Sequence, residues 1–370
     1  MNKLKLKESK YNGKIKELVL NAEAMRSGDS PEDISISEMV QGTLNLSMSE
    51  LYTDLGLDPS SDTIQNLFTY TGANDVRWLV PEIFRDAVKL GMQSAPIWNN
   101  VTALTTQINN LKAIMPSLNE SDAAPKRVNE AETIPTGSIS YQDKTVEIYK
   151  VGRGLRIPDE VRNYVSLDVV GLFIQDFGKK LGRGLDVLAI DCLISGDQGD
   201  GSTAAPIIGT TTGVVATKAY NDYLRAWIRG SRIGRNYDTI IGGEDAALAT
   251  LDLAEFKTPQ GAGSVRHNLD VKTPVPSSSN YYIHGNIPDD EELLVDSSAA
   301  LVKLNAVPLK TESERIVSNQ TEAWYITETT GFAKLFTDAA IVMDLDATIG
   351  AAPFPATMDP TTFENVVFDS

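Results

Sequence analysis

The chain has 370 residues, 42% of them hydrophobic, with a formal net charge of -17 and an isoelectric point near 4.6. That is enough apolar material for two or three domains with cores of their own, and the acidic balance excludes a surface built to grip nucleic acid, which requires clustered Lys and Arg. Cys192 is the single cysteine, so no intrachain disulfide can form, and no window approaches the ~20 apolar residues of a membrane span.

The first residues carry Lys3, Lys5, Lys7, Lys10, Lys14 and Lys16, a basic start to an acidic chain. This is either a solvated terminus or a contact for an anionic partner. It lacks the continuous apolar core of a signal peptide, so cytosolic assembly is the expectation. Residues 1–75 read as short helices broken by turns. Ser30-Pro31-Glu32-Asp33 has a capping Ser, a Pro at the first helical position and acids at the positive helix end; Ser47 or Ser49 marks a second start, and Asp58-Pro59-Ser60-Ser61-Asp62 a third.

Trp78, Leu79, Val80 and Pro81 lead into Ile83, Phe84, Val88 and Leu90, an amphipathic helix that Ser94-Ala95-Pro96 breaks. Extended structure is expected around 102–108 and near Ile114. Residues 136–149 then alternate, with Ile139, Tyr141, Val146 and Ile148 separated by Gln142, Lys144 and Glu147, as in a strand with two different faces. The charged stretch 126–132 before it is expected to be the outgoing limb of a projecting hairpin. An isolated hairpin is marginal in water, so a long one needs cover from another chain.

The longest helical pattern follows, from Leu167 to Ile194. Val170, Phe173, Phe177, Leu181, Leu185, Leu188 and Cys192 recur at steps of three and four, while Gln175, Asp176, Lys179, Lys180, Arg183 and Asp186 stand opposite. Gly171, Gly178, Gly182 and Gly184 each cost about 1 kcal/mol relative to Ala in a helix, which predicts a close neighbour. Beyond the stop at Ser195-Gly196-Asp197-Gln198-Gly199, helix is expected over 220–233, strand over 237–241, helix over 244–253 and strand over 281–283, an α/β pattern. Asp289 to Glu292 reads as a solvated acidic bend before Leu293-Leu294-Val295. Strands close the chain, one ending at Gly331 and another reaching Leu345, before an extended tail.

Catalytic equipment is sparse. The two histidines, His267 and His284, have no ligand-like spacing, and Cys192 lies on an apolar stripe where a thiol acts as a small hydrophobe. Asp176-Phe177-Gly178 lacks the other kinase signatures, Gly178-Lys179-Lys180 fails the phosphate-loop pattern, and Gly152-Arg153-Gly154 lacks the third glycine of a dinucleotide fingerprint. No cofactor and no metal are expected.

In their order, Val80-Pro81, the hairpin around 139–151, Leu155-Arg156-Ile157-Pro158-Asp159-Glu160-Val161, the long helix with its glycine-rich exit and the strands through Trp324 and Phe336 resemble the major capsid proteins of tailed bacteriophages. That is the Hong Kong phage-type capsid fold, shared with encapsulin nanocompartments. The resemblance implies an α+β chain divided into an N-terminal helical extension (1–75), an N-terminal arm (76–120), an extended β-hairpin loop (121–154), a peripheral domain with a spine helix (155–204), an axial α/β domain (205–304), peripheral return strands (305–346) and a tail (347–370). It further implies a non-enzymatic homo-oligomer of hexamers and pentamers in an icosahedral shell, assembled in a bacterial cytoplasm and found in the virion. The shell would enclose double-stranded DNA without reading its sequence and would not involve a membrane. Portal, scaffolding and decoration proteins are the partners implied.

On the same resemblance, inter-subunit contacts are expected at Lys126, Arg127, Glu130, Glu132, Tyr141, Lys144, Arg153, Arg156, Asn319 and Glu322. Some family members join a lysine of the extended loop covalently to a neighbour's asparagine with help from a glutamate; Lys144 or Lys126, Asn319 and Glu322 fall in comparable regions, although the local sequences differ. The short N-terminal segment suggests a retained arm rather than a removed scaffold. An encapsulin-like compartment is the alternative within the fold, and a soluble α/β hydrolase or transferase the alternative outside it.

Overall fold

A computed structural model describes residues 20–21, 36–55, 63, 79–94, 97–110, 112–118, 139–196, 204–253, 280–334, 336–355 and 358. Its helices are α1 (Ile36–Leu44), α2 (Met48–Leu55), α3 (Leu79–Gln93), α4 (Ile97–Asn100), α5 (Asp159–Tyr164), α6 (Leu167–Ser195), α7 (Tyr220–Arg232) and α8 (Glu244–Asp252). Its strands are β1 (Thr102–Gln107), β2 (Lys112–Leu118), β3 (Ile139–Glu147), β4 (Tyr149–Pro158), β5 (Ile207–Thr210), β6 (Thr239–Gly242), β7 (Asn280–Ile283), β8 (Glu291–Val295), β9 (Leu301–Ile316), β10 (Thr321–Lys334) and β11 (Ala340–Thr348). The class is α+β. Two compact units share the chain, one from residues 1–96, 149–185 and 305–330, the other from 97–148, 186–304 and 331–370.

In the first unit, β10 pairs antiparallel with β4 from Thr321 opposite Pro158 to Thr330 opposite Tyr149 and has β9 on its other side. Helix α2 begins where Ser47 and Glu50 cap reciprocally: the Glu50 N–H donates to Ser47 Oγ at 3.3 Å, and the Ser47 N–H donates to Glu50 Oε2 at 2.8 Å. Helix α3 lies against α6 backbone to backbone. A Cβ on Gly178 would meet the Val88 carbonyl oxygen at 2.3 Å, and one on Gly91 the Gln175 carbonyl oxygen at 2.2 Å. Nearby, Phe84 stacks on Trp324 with ring centroids 4.5 Å apart.

In the second unit, five strands take the order β5-β11-β8-β6-β7. The sheet is mixed: β11 runs parallel to β5 and antiparallel to β8, while β6 runs antiparallel to β8 and parallel to β7. Adjacent residues point to opposite faces. Ile241, Leu293, Val295 and Val342 therefore pack with Ile97, Val101, Ala189, Ile190 and Leu193, whereas Ile208, Ile240, Leu294, Ile341 and Met343 pack with Tyr223 and Ala226 of α7.

Several expectations change. The hairpin partner of β3 is β2, with Lys112 opposite Glu147 and Leu118 opposite Ile139, while 126–132 lies outside the described residues. Strand β10 continues through Gly331, which is buried, instead of stopping there. The return strands divide: β9 and β10 belong to one sheet and β11 to the other. On α6, Phe173 and on α3, Leu90 are exposed, and Asp186, expected on the polar face, is buried and accepts the Trp98 N–H at 2.8 Å. The glycines of α6 split as well, because Gly178 and Gly182 meet α3 while Gly171 and Gly184 face open space. The expected starts at 30–33 and 58–62 lie outside the described residues.

Candidate functional site

Among the described residues, β2 and β3 form a sheet of two strands. Such a ribbon loses too little apolar surface to water to hold its own shape, so its stability has to come from what it touches. Buried Val146 and Ile148 anchor its base. The ladder shifts register between Ile114 and Pro116, where proline offers no N–H. Tyr141 stands opposite Pro116, and Lys144 falls within the shifted stretch. Lys126, Arg127, Glu130 and Glu132 lie outside the described residues.

Among the described residues, β4 ends its sheet, so one side of its backbone has no described strand beside it. Tyr149, Lys150, Arg153 and Arg156 are exposed along it, and the Arg153 guanidinium lies 5.9 Å from the centroid of the Phe177 ring. Cations on an edge oppose indiscriminate strand addition while leaving room for a chosen partner. Beyond β4, Tyr164 of α5 and Val169, Leu172 and Phe173 of α6 are open to solvent; Leu172 is 66% and Phe173 69% exposed. Positions 169, 172 and 173 share one helix face, opposite the buried Val170, Ile174, Phe177 and Leu181. Asn319 is exposed in the tight turn joining β9 to β10, where Gln320 takes a left-handed φ of 49°. Glu322 is buried opposite Ile157.

Sequence reasoning missed the polar cluster inside the second unit. Lys218, just before α7, and Glu292 of β8 form an ion pair with no solvent exposure on either side chain. Glu292 also accepts from Tyr223 at 2.6 Å and from Tyr281 at 2.7 Å, and Lys218 donates to the Tyr223 hydroxyl. The single proton of the Thr250 hydroxyl can reach Glu292 Oε1 at 2.7 Å or the Ala246 carbonyl at 2.8 Å. Burial pushes the Lys218 ammonium below the usual lysine range against the pull of Glu292. Burial and the adjacent carboxylate push the Tyr223 and Tyr281 phenols well above theirs. Both hydroxyls therefore stay protonated and act as donors. The cluster ties α7, α8, β7 and β8 together around an ion pair that has no solvent exposure. Asp222 adds a second tie, accepting from the Ala219 N–H at 3.0 Å and the Thr211 N–H at 3.1 Å.

Among the described residues, no group of three His, Cys, Asp or Glu side chains is placed to hold a metal ion. Cys192 is buried, and its thiol donates to the Phe332 carbonyl at 3.4 Å. Among the same residues, no helix is long and apolar enough to cross a membrane.

No family model and no curated protein matches the chain. Among solved structures, it is similar to a virus-like particle from Pyrococcus furiosus, at 12% identity over 70% of this chain and 97% of that one, with a TM-score of 0.47. It is also similar to the capsid of a native GTA particle, at 12% identity over 68% and 91%, with a TM-score of 0.49. A third similar structure contains the major capsid and decoration proteins of phage G, at 9% identity over 66% and 88%, with a TM-score of 0.44.

Proposed function

We propose that this chain is a structural subunit of a closed shell: a major capsid protein that assembles with its own copies, as hexamers and pentamers, into an icosahedral container for the double-stranded DNA of a tailed phage. The observation that carries the reading is the two-stranded ribbon of β2 and β3. A protein that works alone gains nothing from such a ribbon, whereas a shell subunit can lay it over a neighbour and bury much area between chains. The exposed Leu172 and Phe173 and the open edge of β4 add surface that a sister copy can cover. On this reading, 76–120 is the arm, 121–154 the extended loop, and 205–304 the axial domain. The net charge of -17 suits a wall around packaged DNA that is not gripped, because tight phosphate binding would oppose both filling and release.

Expression of the full chain, followed by size-exclusion chromatography and negative-stain microscopy, tests the proposal. Hollow particles or capsomers are expected; a folded monomer at high concentration refutes it. Nucleic acid inside particles from infected or induced cells separates a virion from a cargo compartment. Deleting residues 131–137 should leave soluble capsomers that fail to close into shells.

A further inference from the structure

The second unit presents two helices whose outward faces differ in charge and share an apolar centre. Helix α7 buries Asp222, Tyr223, Ala226 and Gly230 and leaves Arg225, Ile228 and Arg232 exposed. Helix α8 buries Ala246, Ala247, Ala249 and Thr250 and leaves Glu244, Leu248 and Leu251 exposed, with Asp252 at its end. Steps of three and four place each exposed set on one face. Ile228 is 45%, Leu248 56% and Leu251 52% exposed. A lone exposed leucine needs no explanation. Three such side chains flanked by arginines on one helix and carboxylates on the other are a matched pair of surfaces.

We infer that α7 of one copy docks against α8 of a second copy. The inference rests on the shell reading and names the contact that would organise its rings. Like faces are poor partners, because α7 on α7 sets arginine against arginine and α8 on α8 sets carboxylate against carboxylate; such juxtapositions oppose association. Unlike faces bring charges of opposite sign around an apolar centre. A patch that binds a different patch propagates head to tail and closes into a ring when the rotation permits. In a chain of net charge -17, copies repel at long range, and the arginines of α7 supply local attraction for an acidic neighbour.

Charge exchange tests the contact on the full chain. One variant carries Arg225→Glu and Arg232→Glu; the other carries Glu244→Arg and Asp252→Arg. Each alone should raise the concentration for half-assembly at least about tenfold, read by sedimentation velocity, with an unchanged melting temperature. An equimolar mixture, or all four substitutions in one chain, should restore assembly because opposite charges meet again. Should either variant melt early, Ile228→Asp is expected to give the same loss of assembly from a single exposed position. Wild-type assembly by each single-face variant, or no rescue in both the mixture and the four-fold variant, overturns the docking. Shells that form normally in every variant remove the docking and leave the shell reading intact; rings that form in wild type without closed particles do the reverse.

Discussion

Replacing Lys218 with Met takes the counter-ion from a carboxylate that has no water to turn to. Glu292 is fully buried and, among the described residues, retains the hydroxyls of Tyr223, Tyr281 and Thr250 as partners. Breaking a buried pair on one side costs about 3–5 kcal/mol. Glu292→Gln leaves Lys218 with the Tyr223 hydroxyl and a ring centroid 4.4 Å away, and deprotonating a lysine at pH 7 caps that loss at about 4.6 kcal/mol. Lys218→Met with Glu292→Met, which orphans no charge, should cost less than either single change. The pH dependence fixes the cause. An orphaned Lys218 has a folded pKa below its unfolded value, so the deficit of Glu292→Gln shrinks as pH rises from 7 towards 10. Hydrogen exchange of peptides covering β8 in a urea series measures the second unit separately from the first. A Lys218→Met loss under about 0.5 kcal/mol at pH 7 refutes the reasoning.

Other consequences follow from single contacts. Gly178→Ala drives a methyl group into the Val88 carbonyl and should destabilise the first unit by about 1–3 kcal/mol, whereas Gly184→Ala, in open space on the same helix, should stabilise it by about 0.5–1 kcal/mol; thermal unfolding compares the two. Burial, with Asp344 and Asp290 adding to it, raises the Glu291 carboxyl, and Asp344 is its cross-strand partner. Stability from that group is present below the ordinary glutamate pKa and lost as pH rises through the folded value. Glu291→Gln should therefore gain about 0.2–1 kcal/mol at pH 7 and nothing near pH 4, as urea titrations at both pH values can check. Leu172→Ser with Phe173→Ser should leave the melting temperature of the isolated chain unchanged and abolish particles in the microscope; particles of normal number would remove this face from the shell contacts.

What the sequence revealed was what is local. The 3.6-residue period of the apolar residues between Leu167 and Ile194 is a property of neighbours along the chain, and it located α6 to within a residue. The strand expected over 237–241 and the helix expected over 244–253 likewise correspond to β6 and α8. Pairings between distant segments left no such trace. Strand β11 belongs beside β5 and β8, a choice made by the sheet and not by residues 340–348. Lys218 and Glu292 are 74 residues apart, and Glu292 sits in an acidic run that looks like a solvated bend until the fold turns it inward.

The misplacement of Phe173 has a different origin. Its spacing fits the buried stripe, yet the helix turns Val170, Ile174 and Phe177 to the core and leaves Leu172 and Phe173 in water. Local patterning and tertiary burial agree along most of this helix, Phe173 and Asp186 excepted, and an exposed apolar side chain on such a pattern is expected where a sequence serves something other than its own fold. A soluble chain that exposes leucine and phenylalanine side by side on its longest helix pays in aggregation risk unless another surface covers them. The same holds for a ribbon too narrow to be stable alone. Both features are what the proposed shell subunit would leave for its copies to cover, and serine at 172 and 173 asks that question without disturbing the core.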